Sequence, residues 1–197
     1  MKTLFHLWFY LTKKWKIKWE GIICEKCPFD LWIYQEILHE IKPDWIIECG
    51  TKHGGTTLFL ARILDIIGKG HIVSIDINYE ERPKHSRITY HLGNSVHSST
   101  FEKLPKFDGT VLVILDSAHT KDHVYEEMKI YGRFVSSKSY LIVEDTNLSF
   151  HPIPRFISNS PWQAVSKFLK EHPEFMPDRS KERFGITFNP RGYLKKL

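Results

Sequence analysis

Five apolar residues, Val-Leu-Val-Ile-Leu, run straight into Asp116, and Ser117, His119, Asp122 and His123 follow at once. A second run, Tyr-Leu-Ile-Val, ends in Glu144-Asp145, and a third, His-Ile-Val-Ser-Ile, ends in Asp76. Short β-branched runs of this kind read as buried strands of a parallel sheet. In open α/β sheets, ligands sit in the crevice outside the carboxyl ends of the strands. Asp116, Glu144 and Asp145 then put three carboxylates on one edge, where like charges repel. A divalent cation resolves such a cluster, and all-oxygen ligands suit Mg²⁺ or Ca²⁺, with Mn²⁺ also accommodated.

A different chemistry is written at the first strand end, IIECGTKHGGTTLF. Gly50, Gly54 and Gly55 allow a sharp turn and a close backbone approach to a ligand, although the order departs from the dinucleotide fingerprint G-x-G-x-x-G. Asp76 can accept hydrogen bonds from ribose hydroxyls at the end of the next strand. No G-x-x-x-x-G-K-[ST] phosphate loop is present. Glu48 would repel a phosphate and could instead face an amino group. S-adenosylmethionine, with a ribose, an amino group and no phosphate, fits this set better than NAD or ATP.

The elements that must hold these residues alternate. Helical spacing of Leu31, Tyr34, Ile37, Leu38 and Ile41 follows Pro28 and Asp30, and Lys42-Pro43 ends it. Strands are expected at 45–48, 71–77, 87–91, 111–115 and 140–143. Helices are expected at 56–67, 96–104, 123–134 and 161–171, the last starting with Pro161 at its first turn. Repeated strand–helix–strand units imply a doubly wound, mostly parallel sheet with helices on both faces. At 197 residues, with 42% hydrophobic residues and six Trp, the chain fits one such domain with a real core.

Residues 1–20 differ in character. Five Lys against one Glu supply most of the formal +5, interleaved with Trp8, Trp15 and Trp19. This basic aromatic arm reads as an amphipathic packing or oligomerisation element without chemistry of its own, with peripheral membrane contact as the weaker alternative. No run reaches the roughly 20 apolar residues of a membrane span, and the N-terminus lacks a signal-peptide cleavage pattern. Cys24, Cys27 and Cys49 make no disulfide framework, and Cys24 and Cys27 have the CxxC spacing without a second pair for zinc. A reducing, cytoplasmic setting is expected.

The runs KCPFDLWIYQEIL, IIECGTKHGGTTLFLARIL, VLVILDSAHTKDHVYEEM, YLIVEDT and RFGITFNPRGYLKK, in this order, resemble the cephalosporin hydroxylase family over residues 20–197. That family groups S-adenosylmethionine-dependent O-methyltransferases, including rhamnosyl and macrolide-sugar methyltransferases. The resemblance implies a Rossmann-like class I methyltransferase domain over residues 21–197, closed by an antiparallel hairpin near residues 175–190. It implies cofactor contacts at Glu48, Gly50, Thr51, Gly54, Asp76, Asn94 and Ser95. It also implies Mg²⁺ (or Mn²⁺) at Asp116, Glu144 and Asp145, with His119 as general base and Asp116 sharing in catalysis. The acceptor is then a small-molecule hydroxyl, such as that of a sugar. Two departures stand out: Ala118 replaces a second acid of the DSxH segment, and Ser160 replaces the glycine that commonly precedes the Pro161 helix.

Other readings remain. His119, Asp122 and His123 are the residue types of a non-haem iron site, but three ligands on one helical turn cannot all reach one ion. A cofactor-binding module without catalysis would have no need of the metal acids. Nucleic-acid binding is not expected, because the excess charge sits in a short terminal arm. Loop 146–160, with Phe150, His151, Pro152, Pro154, Arg155 and Phe156, is expected to cover the acceptor.

Overall fold

The computed structural model describes residues 2–78, 80–149, 151–154 and 159–197. The chain opens with helix α1 (Lys2–Leu11) and a hairpin of β1 (Lys16–Trp19) and β2 (Ile22–Glu25). Then follow α2 (Pro28–Ile41), β3 (Trp45–Cys49), α3 (Gly55–Ile67), β4 (His71–Asp76) and β5 (Ile88–Leu92). The second half holds α4 (Ser98–Phe101), β6 (Val111–Leu115), α5 (Lys121–Gly132), β7 (Tyr140–Val143), α6 (Pro161–Glu171), β8 (Phe175–Pro177) and β9 (Tyr193–Lys196).

Seven strands form one sheet in the order β5-β4-β3-β6-β7-β9-β8. All neighbours run parallel except β9, which lies antiparallel between β7 and β8. The expected mostly parallel sheet with a C-terminal antiparallel pair is therefore found, and its second strand lies at 193–196, beyond the expected hairpin. The strand order reverses between β3 and β6, which is where an open α/β sheet leaves a crevice.

Period-two alternation explains the layers. Ile47, Val73, Val113 and Leu141 face α5 and α6, packing with Met128, Tyr131, Val165 and Phe168. Ile46, Ile72, Leu112 and Ile142 face α2 and α3, packing with Ile33, Ile37, Leu60 and Leu64. Every residue of β6 is buried, which is why it reads as an unbroken apolar run. Burial of each such aliphatic side chain stabilises the fold by about 1.5–3 kcal/mol.

Local signals set the helix ends. Pro28 starts α2 and Lys42, at φ 45°, closes it. Ser160 caps α6 in a reciprocal arrangement with Gln163, so the residue that replaces the expected glycine is a helix cap. The β1–β2 hairpin was not foreseen. The N-terminal helix stops at Leu11, Lys13 turns the chain at φ 53°, and Glu20-Gly21 forms the hairpin turn. Among the described residues no helix is long and apolar enough to cross a membrane.

Gly50 locks the crevice geometry. It has φ +99°, and a Cβ there would lie 2.0 Å from the Asp116 carbonyl oxygen. Gly68 has φ +86° but open space around it. Gly68→Ala should cost only the backbone strain, roughly 1–3 kcal/mol. Gly50→Ala should cost clearly more, because the end of β6 must also move. Denaturant midpoints test this, and equal losses would show that the close approach does not matter.

Candidate functional site

A cleft of about 680 Å³ opens at the carboxyl ends of β3, β4, β6 and β7, within the size range of small-ligand sites. Gly50, Thr51, Asp76, Asn94, Ser95, Asp116, His119 and Asp145 all line it, together with Ala118. Glu48 and Gly54 are not among its lining residues. Tyr10 and Trp15 of the 1–20 arm are, beside Ile23 and Glu25 of β2, so the arm expected to carry no chemistry supplies part of the wall. Of the loop expected to cover the acceptor, Phe150, Arg155 and Phe156 lie outside the described residues. His151 stacks on Trp162, with ring centres 3.6 Å apart.

The Asp76 side is built on backbone donors. The Lys52 N–H donates to Asp76 Oδ2 at 2.7 Å and the Asn78 N–H to Oδ1 at 2.8 Å. Arg82 Nη2 stands 3.6 Å from Oδ2. These contacts fix an acceptor-only group on the cleft wall.

Glu48 acts one layer down. Thr57 and Ser74 each donate to its Oε2 at 2.5 Å, and Ser74 is in turn 2.6 Å from Thr51 on the cleft wall. Burial raises the Glu48 carboxyl to about 7, although the Ser74 and Thr57 hydrogen bonds pull the other way. Ser95 and Ser117 share a second buried acid. Both hydroxyls donate to Glu127 Oε1, at 2.5 and 2.6 Å, and His123 Nε2 stands 3.4 Å from the same oxygen.

The acids at the ends of β6 and β7 do not gather around one open position. Lys26, between β2 and α2, lies buried with its ammonium donating to Asp116 Oδ2 and Glu144 Oε2. Tyr34 of α2 donates to the other Glu144 oxygen at 2.8 Å. Burial disfavours the Lys26 charge, but the two carboxylates outweigh it and hold the amine well above its ordinary range. The same ammonium holds Asp116 below the usual carboxylate range against its own burial. The repulsion expected among three acids is thus met partly by a lysine.

The other face of Asp116 belongs to a second group. His119 Nε2 lies 3.1 Å from Asp145 Oδ2 and 3.6 Å from Asp116 Oδ1. Burial opposes the imidazolium, yet the Asp145 and Asp116 charges raise His119 to about 9. Asp116, His119 and Asp145 each offer one ligand atom, all within 4.8 Å of one another. Two carboxylates and an imidazole are a donor set that a divalent cation accepts. His123 is directed to Glu127 instead, so the structure does not bring His119, Asp122 and His123 together as an iron site.

Several functional side chains escaped the sequence reading. Lys26, Tyr10 and Trp15 carry no periodic signal. Glu127 did carry one: it stands on the apolar stripe of Val124, Met128 and Tyr131, all buried on α5, where an acid needs a partner.

Known proteins place this geometry in context. The family model described as Rhamnosyl O-methyltransferase/CmcI matches residues 12–197. A rhamnosyl O-methyltransferase of Mycobacterium leprae is 34% identical over 96% of this chain and 88% of its own length. Another from Mycobacterium tuberculosis (strain H37Rv) is 32% identical over 96% and 82%. A solved CmcI structure, described as its Mg-SAM form, aligns with TM-score 0.74 at 22% identity over 92% of this chain and 76% of that one. The MycE methyltransferase of mycinamycin biosynthesis, in complex with Mg, SAH and mycinamycin VI, aligns with TM-score 0.54 at 19% identity over 72% and 40%. The last two likenesses are of fold.

Glu48 makes the fold pH-sensitive in a defined direction. Its folded value of about 7 exceeds the ordinary 4.5, so its contribution to stability is full below about 4.5 and lost as pH rises through about 7. In Glu48→Gln this component should vanish, and the melting temperature should fall less between about pH 5 and 8 than in the parent protein. Parallel curves for the two proteins would sink the assignment.

Proposed function

The chain belongs to the rhamnosyl O-methyltransferase/CmcI family, and we propose that, as an S-adenosylmethionine-dependent O-methyltransferase, it methylates a sugar hydroxyl with help from a divalent cation. The observation that carries this reading is one cleft holding both Asp76, a carboxylate fixed by backbone donors, and the Asp116–His119–Asp145 cluster. Relatives named rhamnosyl O-methyltransferases support the sugar, and the family of folds solved with Mg and SAM or SAH supports the cofactors.

Asp76 would receive the ribose hydroxyls, and Gly50 and Thr51 form the turn along which the cofactor would lie. Ser95 and Asn94 close the far side of that groove. Asp116 and Asp145 would hold the cation, with Glu144 as the third carboxylate at this edge. A divalent ion so held polarises the acceptor hydroxyl and lowers its pKa towards neutrality.

His119 Nε2 takes the hydroxyl proton once Asp116 and Asp145 no longer hold the ring as imidazolium. S-adenosylmethionine would supply the methyl group there, its carbon–sulfur bond breaking to leave a neutral thioether as the acceptor oxygen takes the methyl carbon. Asp116 and Asp145 also orient the imidazole through the contacts that they make with it now. Tyr10, Trp15 and Phe188 give the cleft an aromatic wall beside the acids, a surface for the apolar face of a glycoside.

Two results test this reading. Asp76→Ala should weaken S-adenosylhomocysteine by about 1–3 kcal/mol in calorimetry, the cost of unpairing buried polar groups. No binding heat from the folded parent protein would overturn the cofactor assignment.

Methyl transfer to a rhamnosyl acceptor should stop in EDTA and return with Mg²⁺ or Mn²⁺. Asp116→Asn should nearly abolish it, and His119→Ala should lower it by roughly 10²–10⁴-fold. Full turnover in EDTA would remove the cation from the mechanism and leave His119 as the base.

A further inference from the structure

Asp116 is shared between two cation positions. Its Oδ1 faces His119 and, through it, Asp145, and its Oδ2 accepts from Lys26. The Lys26 ammonium sits where it touches Asp116 and Glu144 at once, and only 6% of its side chain is exposed. A cation ligated by Asp116, Glu144 and Asp145 together would meet that ammonium on the same two carboxylates.

We propose that Lys26 is a resident cation that competes with the divalent ion for Asp116 and Glu144, and so sets how tightly this site holds metal. The inference rests on the metal-assisted reading above. The geometry supports the competition in three ways. Lys26 uses the carboxylate oxygens themselves as acceptors. Glu144 has its other oxygen held by Tyr34, so a new ligand on this carboxylate meets oxygens that already accept. The acids also outnumber the bases held here: Asp116, Glu144 and Asp145 bring three carboxyl groups to Lys26 and His119.

Lys26 is also joined to the cleft wall by its backbone. Its N–H donates to the Trp15 carbonyl at 3.1 Å, and Trp15 lines the cleft. Its neighbour Glu25 ends β2, lines the cleft and pairs with Lys16 and Lys52. Withdrawal of the ammonium therefore acts on the hairpin that supplies Ile23 and Glu25 to the cleft wall. Lys26 is a positioning residue here: it acts through Asp116 and Glu144, not on the reacting atoms.

The test is Mn²⁺ binding without any substrate, followed by the electron paramagnetic resonance signal of free Mn²⁺ and by calorimetry. Parent protein, Lys26→Met and Lys26→Gln are compared, the second variant serving if the first does not fold. Removing a unit positive charge within a few ångströms of the ion should tighten Mn²⁺ binding roughly tenfold or more in both variants. Their melting temperatures should drop in EDTA and recover in Mn²⁺ by more than the parent's shifts. Equal or weaker Mn²⁺ binding by the folded variants overturns the proposal. Failure of both parent and variants to bind Mn²⁺ overturns it too, together with the metal-assisted reading. Binding by the variants but not by the parent upholds Lys26 as the resident cation, and turnover of the parent in EDTA then shows whether the metal-assisted reading falls.

Discussion

A lysine ammonium buried between two carboxylates holds the catalytic edge of this sheet to the helical layer beneath it. Taking three charged groups out of water costs several kcal/mol per ion, and the attraction repays this only when each charge is paired. Lys26 comes from the junction of β2 and α2, Asp116 from the end of β6 and Glu144 from the end of β7. Removing one partner of a buried pair costs about 3–5 kcal/mol, so the three elements are held in one arrangement. The network continues outward: Glu144 accepts from Tyr34, Tyr34 accepts from Asn189, and Asn189 accepts from the Asp145 N–H.

That network explains why two adjacent acids have different work. The Glu144 N–H still bonds to Leu115 across the β6–β7 pair, and its side chain turns towards α2. Asp145 takes φ 55°, a left-handed conformation that Asp tolerates better than most residues. The change of hand sends its carboxylate into the cleft, against His119. Gly50 completes the arrangement by letting the ends of β3 and β6 touch. Backbone strain at such positions persists only where the surrounding structure over-determines it, and here the asparagine and the lysine do so.

The C-terminal segment is drawn into the same scheme. Asp30 of α2 accepts from Thr187, from the Phe188 N–H and from Tyr193. Burial raises its carboxyl to about 6, with these donors pulling it down. Phe188, fixed in this way, packs against His6, Phe9 and Tyr10 of α1. The N-terminal helix therefore reaches the cleft through a chain of contacts that begins at a buried aspartate. Leu4, Phe5, Trp8 and Leu11 remain exposed on the same helix, so its aromatic content is divided between the cleft wall and the surface.

The sequence alone determined the layered sheet, its strand ends and most of the cleft. Unbroken apolar runs mean burial on both faces, and their closing residues Asp76, Asp116 and Glu144-Asp145 must then stand at one edge, because parallel strands share a direction. Gly50, Thr51, Asn94, Ser95 and His119 followed from the same rule and from family likeness. Tertiary structure alone decided what those side chains touch. Lys26 meets Asp116 across 90 positions and Glu144 across 118, and no local periodicity encodes a pairing at that distance. The β1–β2 hairpin and the place of β9 between β7 and β8 were equally hidden, since four-residue strands are too short for their pattern to be told from other structure. Whether three acids surround a metal, a lysine or a histidine depends on which way each side chain leaves its strand. That is set by turn geometry and by the strand's neighbours, not by the residue types that a sequence records.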